Sequence, residues 1–230
     1  MRGVFVTGTD TGVGKTRVSL LLMQVFQAQG LRVLGMKPVA SGAIWREGRL
    51  VNEDALALQT QGSHAAPYEL INPYVFEPAI APHLAAAEAG VRIELEPIKT
   101  AFAGLAAEAD LVIVEGAGGW RVPLADGLEM GDLALALGLP LVLVVGMRLG
   151  CLNQALLSYE SISGKKNGTT YWIANQVDPN MEKLEENFDF LGKTIKAPCL
   201  GLLRWSNIEI HDSLIKTFEI DNLQCLVAES

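Results

Sequence analysis

Short apolar runs alternate along the chain with longer segments of mixed apolar and polar character. The runs at 4–7, 32–36, 111–115, 141–145, 171–174 and 199–203 are mostly short and rich in Val, Ile or Leu, which predicts strands buried on both faces. Helical patterning separates them, at 15–29, 53–61, 82–89, 97–108, 132–137, 152–163 and 181–194. Strand and helix in alternation predict an α/β fold: one domain over 1–230, with a mostly parallel β-sheet covered by helices on both faces. In such sheets ligands bind beyond the carboxyl ends of the strands, so the residues that follow each strand carry the functional question. The least regular stretch, 62–81, predicts a long ordered loop, either over an active site or simply on the surface.

Composition narrows the classes. With 230 residues, half of them hydrophobic, the chain can bury a substantial core. Apolar runs such as "LPLVLVVG" fall short of a membrane helix, and the N-terminus lacks the order of a signal peptide, so the expected location is the cytoplasm, with no membrane partner. Cys151, Cys199 and Cys225 are scattered, with no Cys-x-x-Cys spacing, and read as reduced packing thiols. A net charge of −8 leaves no basic stripe for nucleic acid. The Lys165-Lys166 pair in "SGKKNG" reads as solvent-exposed punctuation.

An anionic ligand remains open if positive groups gather locally, and "VTGTDTGVGKT" is where they could. It joins the first strand to the first helix and ends in Gly14-Lys15-Thr16, the second half of a phosphate-binding P-loop. Glycines let the backbone wrap a phosphate chain, and the helix N-terminus offers free N–H groups and partial positive charge. Lys15 would reach the β and γ phosphates, and Thr16 would ligate magnesium. Five residues rather than the usual four separate Gly8 from Gly14, which leaves Thr9 where the first glycine is expected.

Other strand ends supply candidates. "DLVIVEGAGG" ends its apolar run in Glu115, a metal carboxylate or a strand-terminating charge, and a glycine turn follows it. Asp54 in "NEDALALQ" is a metal carboxylate or, on spacing alone, a helix N-terminal acid that favours the dipole. Lys37 in "MKPVASG" either neutralises anions at the site or is a solvated strand-end lysine. In "VVGMRLGCLNQALLS", Gly150 opens a helix whose N–H groups form an anion site, or Asn153 caps it. "IANQVDP" places Gln176 where a guanine-reading Asn-Lys-x-Asp motif needs lysine.

Taken together, "VTGTDTGVGKT", "KPVASG", "NEDALALQ", "NPYVFEPAIAPHLAA", "VEGAGGWRVPL" and "VVGMRLGCLNQALL", in order over residues 4–157, closely resemble the dethiobiotin synthetase family of P-loop enzymes, in which the five-residue gap is typical. The resemblance implies ATP-dependent carboxylation and ring closure of 7,8-diaminopelargonic acid with CO2. The products are dethiobiotin, ADP and phosphate, formed through a carbamate and its mixed anhydride with phosphate. It gives Lys15 and Lys37 the carbamate and the transferring phosphoryl group, and Thr11 and Ser41 hydrogen bonds to the substrate. Thr16, Asp54 and Glu115 would surround Mg2+, and ATP would lie along Gly12, Val13, Gly14, Lys15, Thr16, Arg17, Asp54, Glu115, Gly116, Ala117, Gly118, Asn175 and Gln176. It further implies a homodimer in which Gly150, Cys151, Leu152 and Asn153 of one subunit receive the substrate carboxylate of the other.

The match weakens beyond residue 160. Asn175 aligns with an adenine-contacting asparagine, but Arg204 stands where relatives often carry proline, and His211 where an acid can contact the ribose. Gly12 replaces an acidic residue found in some members. His64, His83 and His211 are too dispersed for a metal triad, and His83 reads as a helix-start residue near the substrate pocket or a packing residue. Two rival functions share the P-loop. A cobyrinic acid amidase carries an added glutamine-hydrolysing domain, for which 230 residues leave no room. A partitioning-type ATPase switch usually adds a second lysine early in the loop, which "GTDTGVG" lacks.

Overall fold

The computed structural model describes residues 3–165 and 168–205. Its first half runs β1 (Gly3–Gly8), α1 (Lys15–Ala28), β2 (Val33–Met36), β3 (Val39–Ser41), β4 (Ile44–Arg46), β5 (Arg49–Val51), α2 (Glu53–Gln61), α3 (Tyr68–Ile71), β6 (Tyr74–Phe76), α4 (Pro82–Glu88) and α5 (Leu95–Glu108). The second half runs β7 (Leu111–Glu115), β8 (Pro123–Ala125), β9 (Leu128–Glu129), α6 (Met130–Leu137), β10 (Leu141–Met147), α7 (Cys151–Ser163), β11 (Thr170–Gln176), α8 (Leu184–Thr194) and β12 (Cys199–Leu203).

The six apolar runs form one sheet in the order β12-β11-β10-β1-β7-β2, and every pairing in it is parallel. Its side chains alternate between two hydrophobic layers. Val4, Val6, Ile113, Val142, Val144 and Ile173 face α1, whose Val18, Leu21, Leu22, Val25 and Phe26 cover them. Phe5, Val112, Val114, Leu143, Val145 and Trp172 face the layer of α5, α6, α7 and α8. Because both faces are dry, the strands need no polar residue at alternate positions, which explains their uninterrupted Val, Ile and Leu. Truncating a side chain as buried as Phe5 or Trp172 to alanine would cost about 3–5 kcal/mol.

Three helix starts lie earlier than the patterning suggested, and one later. Pro97 sits inside the first turn of α5, where a missing N–H costs nothing, so the helix begins at Leu95 rather than at the proline. A reciprocal capping box between Glu129 and Asp132 opens α6 at Met130. Gly150 is the N-cap of α7, which starts at Cys151, so Asn153 lies within the first turn and is not the cap. α8 begins only at Leu184, after Lys183 at φ 57°.

The stretch 62–81 is more regular than a loop: it contains α3 and β6, and β6 pairs in parallel with β3. Two antiparallel hairpins, β4–β5 and β8–β9, also lie outside the main sheet. Lys165 is not mere punctuation, since it donates to Asp132 at 2.7 Å and lies 5.9 Å from the Trp120 ring centre. Lys166, His211 and Cys225 lie outside the described residues. Among the described residues no helix is long and apolar enough to cross a membrane.

Candidate active site

β1 ends in the middle of the sheet, and the chain turns through Thr9–Val13 into α1. Gly14 is the N-cap at φ 86°, a left-handed conformation that favours glycine, and a Cβ there would collide with the Asn175 amide. The first turn of α1 therefore presents Lys15, Thr16 and Arg17 beside backbone N–H groups that have no helical partner. Lys15 is almost fully buried, and its Nζ donates to the Asp10 carbonyl at 2.9 Å. Burial and the nearby Lys37 charge lower its pKa to about 8.

Lys37 follows β2 directly, and the sheet register decides what it meets. Met36 is level with Val114, so Lys37 stands level with Glu115 on the neighbouring strand β7. The Lys37 ammonium is buried and donates to Glu115 Oε1 at 2.5 Å and to Asp54 Oδ2 at 2.9 Å. Burial opposes its charge, but the Glu115 and Asp54 carboxylates outweigh burial and raise its pKa. Burial also works against the Asp54 carboxylate, yet Lys37 holds its pKa below the ordinary value. The solvated strand-end reading of Lys37 is thereby excluded.

Thr16 Oγ1 donates to Glu115 Oε1 at 2.9 Å, which ties the P-loop to the same cluster. Glu115 Oε2 is buried and has no hydrogen-bond partner among the described residues. A hydroxyl and two carboxylates, one of which carries this unpartnered buried oxygen, make a donor set suited to a hard divalent cation that keeps water or phosphate oxygens as further ligands. Among the described residues no group of three His, Cys, Asp or Glu side chains could hold a metal by itself. Asp54 also lies in the first turn of α2, the place of a helix N-terminal acid, while Asn52 is the cap and accepts from Ala55 N at 3.2 Å.

The support for Lys37 comes from residues to which the sequence assigned no role. Asn72 Nδ2 donates to the Lys37 carbonyl at 2.7 Å, and the Lys37 N–H donates to Ile71 O at 2.7 Å. Tyr68 Oη donates to Asn72 Oδ1 at 3.0 Å and accepts from Asn52 N at 2.8 Å. Three polar residues thus lock the end of β2 to the start of α2. Asn52 and Asn72 stood in quoted motifs, but nothing in their spacing distinguished them from turn residues.

A cavity of about 670 Å³ opens above the cluster and brings together Thr11, Lys15, Thr16, Lys37, Ser41, Asp54 and Glu115, with Gly12, Gly14, Ala117 and Gly118. Ser41 Oγ is buried and without a hydrogen-bond partner among the described residues. Ala81 and Pro82, at the start of α4, close one wall, and His83 follows Pro82 in that helix.

The remaining sequence candidates lie outside this cavity. Gly116 is buried, its N–H donating to Val6 O at 2.9 Å, and Val13 packs in the core. Asn175 and Gln176 end β11. Asn175 Nδ2 donates to Val13 O, whereas Gln176 accepts from Trp205 N and donates to the Asp178 carbonyl. Gly150, Cys151, Leu152 and Asn153 form the N-terminus of α7 beyond β10, with the Cys151 N–H turned back onto Arg148 O. A link that the sequence did not suggest runs from Arg148 Nη2 and Gln154 Nε2 to Asp10 Oδ2, at 2.7 and 3.3 Å, and joins this segment to the P-loop.

Comparison with known proteins identifies the family. A family described as an AAA domain matches residues 2–208. The ATP-dependent dethiobiotin synthetase BioD of Xanthomonas campestris pv. campestris is 48% identical over 201 residues, covering 87% of this chain and 90% of that protein. The ATP-dependent dethiobiotin synthetase BioD of Aromatoleum aromaticum is 48% identical over 202 residues, covering 88% and 90%. A ParA family ATPase from Chlorobium tepidum TLS shares the fold at a TM-score of 0.54 and 15% identity, over 99% of this chain and 89% of that one. At that identity the last likeness concerns the fold alone. By residues that run through the P-loop, the Lys37 strand end and the Glu115 turn, the chain belongs to the AAA-domain family and, within it, to the ATP-dependent dethiobiotin synthetases.

Proposed function

We propose that the protein is an ATP-dependent dethiobiotin synthetase that closes the cyclic urea of dethiobiotin from 7,8-diaminopelargonate, CO2 and ATP. The observation that carries this reading is the meeting, in one cavity, of Lys15, Lys37, Thr16, Asp54 and Glu115, in a chain 48% identical over 201 residues to a named synthetase.

One amine adds to CO2 and gives a carbamate. A carbamate oxygen attacks the γ-phosphorus, and ADP leaves. The second amine then attacks the carbonyl carbon of the mixed anhydride, and phosphate leaves with the oxygen that had made a poor leaving group before phosphorylation. Two amines on adjacent carbons, held in one site, give the last step a large proximity advantage.

Each residue has a role that its surroundings support. Lys37, held protonated by two carboxylates, is a fixed cation for the carbamate and the transferring phosphoryl group rather than a base. Lys15 and the N–H groups at the start of α1 hold the phosphate chain. Thr11 and Ser41, on the cavity wall, hydrogen-bond the substrate. Thr16, Asp54 and Glu115 would hold Mg2+, which supplies positive charge toward the phosphate oxygens when bound. The base and ribose lie toward Asn175, on the opposite flank of the P-loop.

The chain works as a homodimer in the cytoplasm. The N-terminus of α7 receives the carboxylate tail of a substrate bound in the partner. What supports this is Leu149, 97% exposed directly before that helix, and Leu157, 58% exposed along it: apolar surface that a second copy would cover.

The test is to supply 7,8-diaminopelargonate, bicarbonate, Mg2+ and ATP, and to follow dethiobiotin by mass spectrometry together with phosphate, omitting each component in turn. Dethiobiotin and matching phosphate are expected only in the complete mixture. Nucleotide binding without ring-closed product would instead favour an ATPase switch.

A further inference from the structure

We propose that Arg17 is a positioning residue that sets the nucleobase selectivity of the site by locking the Asn175 amide in one orientation. The inference rests on the reading of the P-loop and Asn175 as the nucleotide site, and deepens it.

Asn175 is buried at the end of β11. Its Nδ2 donates to the Val13 carbonyl at 2.9 Å, inside the P-loop. Its Oδ1 accepts from Arg17 Nη1 at 3.0 Å. Arg17 Nη2 donates at 3.0 Å to the carbonyl of Arg204, just past β12. A guanidinium only donates and a peptide carbonyl only accepts, so both neighbours demand the same assignment of oxygen and nitrogen. Turning the amide over would set NH2 against Arg17 and oxygen against the Val13 carbonyl.

The sheet order decides which end of a nucleotide meets this pair. With the phosphates at the first turn of α1, the transferred group faces Lys37, just past β2, and Glu115 at the end of β7. β10, β11 and β12 lie on the other side of β1, so the nucleoside extends toward Asn175 and Arg17. After its internal bonds the amide keeps one N–H and one oxygen lone pair, in an order that Arg17 fixes. An amide of that kind pairs with the adjoining amino donor and N7 acceptor of adenine. Guanine offers two acceptors, O6 and N7, and only an amide free to turn could bring its NH2 onto O6. Arg17 removes that freedom.

The experiment uses the intact protein and the substitutions Arg17→Met, which keeps the stem and loses every donor, and Arg17→Lys, whose single ammonium cannot span both acceptors. ATP and GTP are titrated calorimetrically with magnesium, and steady-state kinetics are run with each. The expected result for Arg17→Met is a fall of about five-fold or more in the preference for ATP over GTP, read in KM more than in kcat, with Arg17→Lys in between. A smaller change in that preference, whatever happens to kcat, overturns the inference. Where circular dichroism shows Arg17→Met unfolded, Arg17→Lys decides: a reduced preference supports the lock, and a wild-type preference overturns it. Wild-type protein that binds neither nucleotide would overturn the nucleotide reading itself and this inference with it, before any substitution is compared.

Discussion

The two flanks of the P-loop are built from different materials. Toward β7 and β2 lie charges: Lys37, Asp54 and Glu115 packed against one another and almost closed to solvent on the lysine and glutamate. Toward β10 and β11 lie mainly neutral donors and acceptors, the α7 N-terminus, the Asn175 amide and peptide carbonyls, with Arg17 bonded to the amide and the Arg148–Asp10 ion pair tying the segment after β10 to the P-loop. Dense charge suits bond making, where charge develops and must be met by groups already in place. Oriented amides suit discrimination, where a wrong partner leaves a polar group unpaired. Substitutions on the first flank should therefore act on turnover, and those on the second on which molecule is held.

The largest expected effect is that of Lys37→Ala. Removing one preorganised cation costs about 2.7–4 kcal/mol in the transition state, or 10²–10³ in kcat, while calorimetry should still detect ATP binding. Near-normal turnover would break the comparison at its strongest point. Gly14→Ala should come next. It forces a left-handed backbone on alanine at about 1–2 kcal/mol and drives a methyl group into Asn175, so nucleotide affinity and melting temperature should fall together. Unchanged affinity would remove the P-loop from the argument.

Asn72→Ala should sharpen the comparison, because Asn72 touches the charged flank only through the Lys37 backbone. A loss of about 1–3 kcal/mol in stability is expected, with kcat reduced more than ATP affinity. Equal loss of both would deny that Asn72 acts through Lys37. Leu149→Asp should have the smallest effect on the fold, within about 0.5 kcal/mol, since the side chain lies in solvent. Sedimentation at assay concentration should nonetheless show dissociation and lost turnover, and an active monomer would refute the shared site.

Much of the fold was legible because its strands are buried on both sides, so their apolar runs stand out from sequence alone. β3 and β6 are three residues each and escaped notice, since so short a run carries no period. The β4–β5 hairpin escaped for a different reason. Arg46 pairs with Arg49, leaving the two-residue turn Glu47-Gly48 with φ of 51° and 81°. Such a turn is signalled by Asn-Gly or Asp-Gly, and glutamate in the first position hides it.

The site shows the same division. Lys15 and Thr16 were readable because the P-loop is local. Spacing alone left Lys37 undecided and only the family resemblance gave it a role, since its meeting with Glu115 depends on β2 lying beside β7, and strand order cannot be read from spacing. The link between Asp10 and Arg148 spans 138 positions and left no local trace.

The chain of contacts from Asn52 through Tyr68 and Asn72 to Lys37 has a consequence for the evolution of segment 62–81. Surface loops normally tolerate insertion and deletion, because each added residue costs little entropy. Here the segment behaves as a spacer of set length. One residue more or fewer between α2 and Asn72 would turn the asparagine away from the Lys37 carbonyl and shift the ammonium relative to Glu115. Length variation in this part of the chain should therefore be confined to the tip of the β4–β5 hairpin, where Glu47 and Gly48 are exposed.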